Sequence, residues 1–82
     1  MSDTIRVQTL FFGIYGELAG DRDGTAELPA GGTVSDLIDV LRRSLDWIPE
    51  RVVVAVNQSY AEAATLLRDG DEVALIPPVA GG

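Results

Sequence analysis

The residues best suited to chemistry stand at the end of the sequence, Pro77-Pro78-Val79-Ala80-Gly81-Gly82. Gly81 and Gly82 carry no Cβ, so they can thread a narrow cleft and bring the Gly82 carboxylate to a reactive centre. Pro77 and Pro78 fix φ, keep the backbone extended and prevent a return as helix or central strand. The expectation is a thin arm, stiff at its base, with one reactive group at its tip. Six extended residues from Pro77 reach roughly 20 Å at about 3.3 Å each, enough to enter a buried pocket while a globule stays outside. The alternative is an inert, frayed chain end, where glycines commonly collect. The arm follows an apolar strand with no polar spacer, which favours function.

Composition narrows the chemistry further. The sequence has no Cys, His or Lys. It therefore has no thiolate nucleophile, no imidazole base or ligand and no side-chain amine for a Schiff base. Neither a metal site nor a resident cofactor is expected, and a self-sufficient enzyme is hard to assemble from carboxylates, hydroxyls and arginine. Thirteen acidic residues against six basic ones leave a net charge of −7, which disfavours nucleic acid and anionic membrane and suits a basic protein partner. The start, Met1-Ser2-Asp3-Thr4, lacks the basic and apolar regions of a signal peptide, and no apolar run approaches a membrane span, so a cytoplasmic location is expected.

The elements that must hold the arm are legible as periodicities. Ile5, Val7, Thr9 and Phe11 alternate with Arg6, Gln8, Leu10 and Phe12, a period-two strand. Its Ile5/Val7/Phe11 face points to the core; Leu10 and Phe12 make the other face apolar at one end, where it is covered or waits for a partner. Residues 16–24, with three glycines and two aspartates, read as a loop, and Thr25–Leu28 as a short strand. Thr33 is placed to cap a helix, with Asp36 three residues on; Val34, Leu37, Ile38, Leu41 and Leu45 follow at helical spacing. Trp47 reads as a lid on the core. Strands are expected at 51–56, briefly at 60–61, and at 72–76, the last preceded by the tight turn Asp69-Gly70-Asp71.

The 82 residues thus form one domain, 1–76, followed by the arm, 77–82. The order predicts an α+β fold: one main helix on a mixed four- to five-stranded sheet, with the first and last strands side by side and parallel at its centre.

With these segments placed, the chain resembles the small, sulfur-carrying subunits of molybdopterin synthase, a β-grasp (ubiquitin-like) family. The residues that carry the resemblance are Phe11-Phe12-Gly13, Glu17-Leu18-Ala19-Gly20, Ala55-Val56-Asn57-Gln58, Asp69-Gly70-Asp71-Glu72-Val73-Ala74 and the closing Pro77-Pro78-Val79-Ala80-Gly81-Gly82. One position departs: Gly16 stands where the family usually carries Arg. The resemblance implies that an ATP-dependent adenylating enzyme converts the Gly82 carboxylate to an acyl-adenylate, and that a sulfur donor turns it into a thiocarboxylate. It further implies that the arm, Pro77 to Gly82, enters the large subunit, where sulfur passes to a cyclic pterin phosphate to build the molybdopterin dithiolene. ATP then belongs to the activating partner, and this chain binds no cofactor. By the family pattern Tyr60 and Ile76 join Leu10 and Phe12 as partner contacts near the root of the arm. Three other readings stay open: a sulfur carrier for thiazole, amino acid or tRNA thiolation; a ubiquitin-like protein modifier; and a binding module with an inert tail.

Overall fold

A computed structural model describes residues 3–78. The chain runs β1 (Thr4–Phe11), α1 (Ile14–Ala19), β2 (Asp23–Pro29), α2 (Val34–Arg42), β3 (Val53–Val56), β4 (Ser59–Ala61) and β5 (Glu72–Ile76). The five strands form one mixed sheet in the order β2-β1-β5-β3-β4. As the sequence predicts, β1 and β5 lie parallel at its centre, with Thr9 opposite Val73 and Phe11 opposite Leu75. The other pairings are antiparallel.

The core lies between one face of this sheet and α2. Val7, Phe11, Val54, Val73 and Leu75 project from the strands and Val34, Leu37, Ile38 and Leu41 from the helix, all buried. Complete burial of one such aliphatic side chain stabilises by about 1.5–3 kcal/mol. The helix begins where expected. The Thr33 hydroxyl accepts from the Asp36 backbone N–H at 3.2 Å, and the Asp36 carboxylate accepts from the Thr33 N–H at 2.9 Å, a complete capping box. The segment after β4 supplies further acceptors: Val34 N–H donates to Thr65 O (3.0 Å) and Ser35 N–H to Ala63 O (2.9 Å). Trp47 packs edge-on to Phe11 at 6.1 Å and tilted against Tyr15 at 5.0 Å, closing one end of the core.

Residues 16–24 are not one loop. Their first part belongs to α1 and their last to β2, so that of the three glycines Gly16 lies within the helix, Gly20 at its C-terminus and Gly24 in the strand. Gly20 adopts φ 86° and closes the C-terminus, its N–H donating to Gly16 O at 3.1 Å. Tyr15, buried against Trp47, holds the helix down. Gly16 is buried too: a Cβ there would meet Phe11 O at 3.1 Å and Arg22 Cγ at 3.2 Å. Gly16 thus sits at a close approach of α1 to the end of β1. The remaining differences are boundaries: β2 is longer than expected, β3 starts two residues later, and α2 ends at Arg42, with Leu45 joined to it through its N–H to Leu41 O at 2.8 Å.

Candidate docking face and root of the arm

The Asp69-Gly70-Asp71 turn determines where β5, and hence the arm, leaves the sheet. Gly70 takes φ 87°, a conformation a side chain would strain. On one side the turn is sewn to β1: Arg6 N–H donates to Asp69 Oδ1, Gly70 N–H to Arg6 O and Gln8 N–H to Asp71 O, each at 2.8 Å. On the other side Asp71 accepts from Arg68 N–H at 2.8 Å and from Asn57 Nδ2 at 2.9 Å. Asn57 Oδ1 in turn accepts from Glu72 N–H at 3.0 Å. Asn57 and Gln58, at φ 50° and 73°, form the two-residue turn between β3 and β4. The most recognisable motif of the chain is thus a brace. It holds β5 in register between β1 and β3.

That register builds the face of the sheet opposite α2. Leu10 pairs with Ala74, Ala74 with Ala55 and Ala55 with Tyr60, one continuous row across four strands. The next row holds Val53 opposite Ile76, and Phe12, whose N–H donates to Leu75 O at 3.2 Å, comes alongside. Alanines in the middle and large side chains around them leave a hollow of about 270 Å³ lined by Phe12, Ala55, Gln58, Tyr60, Glu72, Ala74 and Ile76. Phe12 is 47% exposed, Val53 46% and Tyr60 81%, although each is large and apolar in body. Contiguous exposure of this kind marks an interaction surface more often than a scattered hydrophobe does.

The structure therefore brings together four of the residues proposed from the sequence, Leu10, Phe12, Tyr60 and Ile76, on one face. Pro77 follows half-buried and Pro78 exposed. Val79, Ala80, Gly81 and Gly82 lie outside the described residues. Gly13, at φ 55°, sits against the root: a Cβ on it would lie 3.3 Å from Pro77 Cγ. Sequence reasoning missed Ala55, Ala74, Val53 and Gln58. The alternation of β5 marks Ala74 as facing the same way as Ile76, but only the strand order brings Ala55 beside it. Among the described residues no cluster of Asp and Glu is placed to hold a metal ion, and no helix is long and apolar enough to cross a membrane.

Comparison with known proteins agrees with this arrangement. A sequence model of the ThiS family matches residues 9–82. The chain is 40% identical over 82 residues to a protein of Mycobacterium tuberculosis named molybdopterin synthase sulfur carrier subunit, covering 95% of this chain and 99% of that one. Among solved structures, a molybdopterin converting factor subunit 1 from Pyrococcus furiosus superimposes with a TM-score of 0.84 at 31% identity, covering 92% of this chain and 99% of that one. A chain from a complex of subunits 1 and 2 of molybdopterin-converting factor from Helicobacter pylori matches with a TM-score of 0.65 at 26% identity, covering 95% of this chain and 100% of that one. With its ubiquitin-like β-grasp sheet, its braced final strand and a family match that runs from β1 to the last glycine, the chain belongs to the ThiS family.

Proposed function

We propose that the chain is the sulfur-carrier subunit of a molybdopterin synthase and that Gly82 carries the sulfur. The observation that carries this reading is the meeting of an exposed apolar sheet face with the root of the arm at Phe12, Ile76 and Pro77. A partner seated on that face would hold the globule while the arm extends into it. The name of the Mycobacterium tuberculosis relative supports the pathway, and the Helicobacter pylori complex supports the kind of partner, a second subunit.

The chemistry follows from the terminus. A carboxylate is a poor electrophile, so it must first be activated. The Gly82 carboxylate attacks the α-phosphorus of ATP on an adenylating partner and releases pyrophosphate. Sulfide-level sulfur delivered as hydrosulfide by a donor then attacks the acyl carbon, the C–O bond to AMP breaks, AMP leaves with the electron pair, and a thiocarboxylate remains. In the synthase the thiocarboxylate sulfur is transferred to a cyclic pterin phosphate, and water restores the carboxylate. This chain's own residues bind and aim: Leu10, Phe12, Tyr60 and Ile76 dock, Pro77 and Pro78 extend the arm through Val79 and Ala80, and Gly81 and Gly82 pass a narrow channel. Bases and any metal come from the partners.

Intact mass spectrometry after incubation with ATP, an adenylating enzyme of this class and a sulfurtransferase tests the proposal. A mass gain equal to the exchange of one oxygen for sulfur, located on Gly82, is expected. An unchanged mass while the adenylating enzyme thiolates its own cognate carrier in parallel argues against it. Product analysis with the large subunit then separates the molybdopterin pathway from other thiolations.

A further inference from the structure

The strand register gives the hollow two unlike ends. On the face opposite α2, β5 presents Glu72, Ala74 and Ile76 in turn, because side chains alternate along a strand. Ala74 pairs with Ala55, and these two alanines form the floor. Phe12 and Ile76 close an apolar end, Glu72 and Gln58 close a polar one, and Tyr60, paired with Ala55, stands beside the floor. Glu72 and Ile76 are four residues apart on β5, about 13 Å at about 3.3 Å per step.

Glu72 is held in place by its main chain. Its N–H donates to Asn57 Oδ1 at 3.0 Å, and its O accepts from Asn57 N–H at 2.8 Å. Its carboxylate has no hydrogen bond or ion pair among the described residues. Arg6, the arginine carried by the five strands, stands instead opposite Glu27 on β2, 4.0 Å from its carboxylate. No arginine lines the hollow. The chain as a whole carries a net charge of −7, so its field favours a cationic group from a partner.

An occupant of the hollow must satisfy both ends. A wholly apolar side chain covers the floor but desolvates the Glu72 carboxylate without pairing it, which is costly. An ammonium is strongly hydrated and suits an aromatic, apolar seat poorly. Arginine meets each demand. Its stem is apolar, and its planar head is weakly hydrated, stacks on aromatic faces and donates to several oxygens at once.

We propose that the hollow receives an arginine side chain of the large subunit, with the stem on Ala55 and Ala74 and the guanidinium on the Glu72 carboxylate, the Gln58 amide oxygen and the ring of Tyr60. The inference rests on the functional reading above, since it specifies what enters that docking face. Apolar contact alone is non-directional, whereas a guanidinium–carboxylate pair fixes one register of the globule on its partner and so aims the arm.

The test is titration calorimetry of wild type, Glu72→Gln and Glu27→Gln against the large subunit of the synthase. Glu72→Gln keeps both main-chain bonds to Asn57 and removes only the charge. Glu27→Gln removes the same charge from the same face, two strands away. With thermal midpoints matched, Glu72→Gln is expected to weaken binding about tenfold or more, and Glu27→Gln about twofold at most. Equal affinity of Glu72→Gln and wild type overturns the inference and makes the occupant an apolar side chain. Equal weakening by the two variants also overturns it, in favour of long-range steering. In a second arm the isotope-labelled chain alone is titrated with millimolar N-acetylarginine amide or its uncharged isostere N-acetylcitrulline amide. The arginine compound is expected to shift the amide resonances of Gln58, Glu72 and Ala74 in wild type and not in Glu72→Gln; the citrulline compound should shift them in neither. Absence of any binding between wild type and the large subunit overturns the functional reading. Shifts from the arginine compound would still support a guanidinium seat in that case, and their absence would overturn it.

Discussion

Gly13 and Pro77 touch across the end of the sheet: a Cβ built on Gly13 would stand 3.3 Å from Cγ of Pro77. Gly13 also precedes α1 in a conformation, φ 55° and ψ −133°, that side chains rarely adopt. Gly13, having no side chain, thus lets the start of a helix and the root of the arm lie close together. Gly13→Ala should lower stability by about 1–3 kcal/mol from backbone strain and displace Pro77. Denaturant unfolding and affinity for the large subunit, measured on the same variant, should both suffer. Unchanged values in both would mean that the contact carries nothing.

Phe11 and Phe12 are neighbours in opposite environments. Phe11 is buried beside Trp47, and Phe12 is half exposed at the edge of the hollow. Phe11→Ala should cost about 3–5 kcal/mol of stability. Phe12→Arg should leave the unfolding midpoint nearly unaltered and weaken binding of the large subunit by about 2 kcal/mol, roughly thirtyfold in Kd. Titration calorimetry alongside thermal melts separates the two effects. Cooperative unfolding lost in Phe12→Arg would instead make it a core residue.

Asp71 joins the Arg68 backbone and the Asn57 side chain through its two carboxylate oxygens. Asp71→Ala leaves those donors to water, since the site is open to solvent, and should cost about 1–2 kcal/mol in urea denaturation. Asn57→Gly should cost less than Asp71→Ala: it loses the bonds of its side chain but relieves the positive φ. A reversed ranking of the two variants would contradict the brace.

The terminal glycines should be separable from folding. Gly82→Ala is expected to slow adenylation or sulfur transfer at least tenfold, about 1.4 kcal/mol, while the thermal midpoint stays where it is. A chain capped as the C-terminal amide should fold and dock normally and carry no sulfur. Normal sulfur delivery by the amide would remove Gly82 from the mechanism. Full activity after deletion of Gly81 and Gly82 would point to the inert-tail reading.

The strands, the main helix and its cap were legible because each is a local property. Alternation at Ile5–Phe11, helical spacing from Val34 to Leu41 and the Thr33/Asp36 pair depend on residues a few positions apart. The apolar strength of the first and last strands even implied their parallel pairing, since neighbours covered on both faces need apolar residues on both. Helix α1 was obscured because Gly16 within it and Gly20 at its end carry the same local signal as a loop; burial of Tyr15 against Trp47, more than thirty residues away, holds the segment down as a helix. The hollow beside Phe12 and Ile76 needed the sheet order for the same reason. Leu10, Ala55, Tyr60 and Ala74 are far apart in the chain, and hydrogen-bonded register alone sets them in one row. Local pattern determined what each segment is, while long-range pairing decided which faces meet, because side-chain direction repeats along a strand but partnership between strands does not.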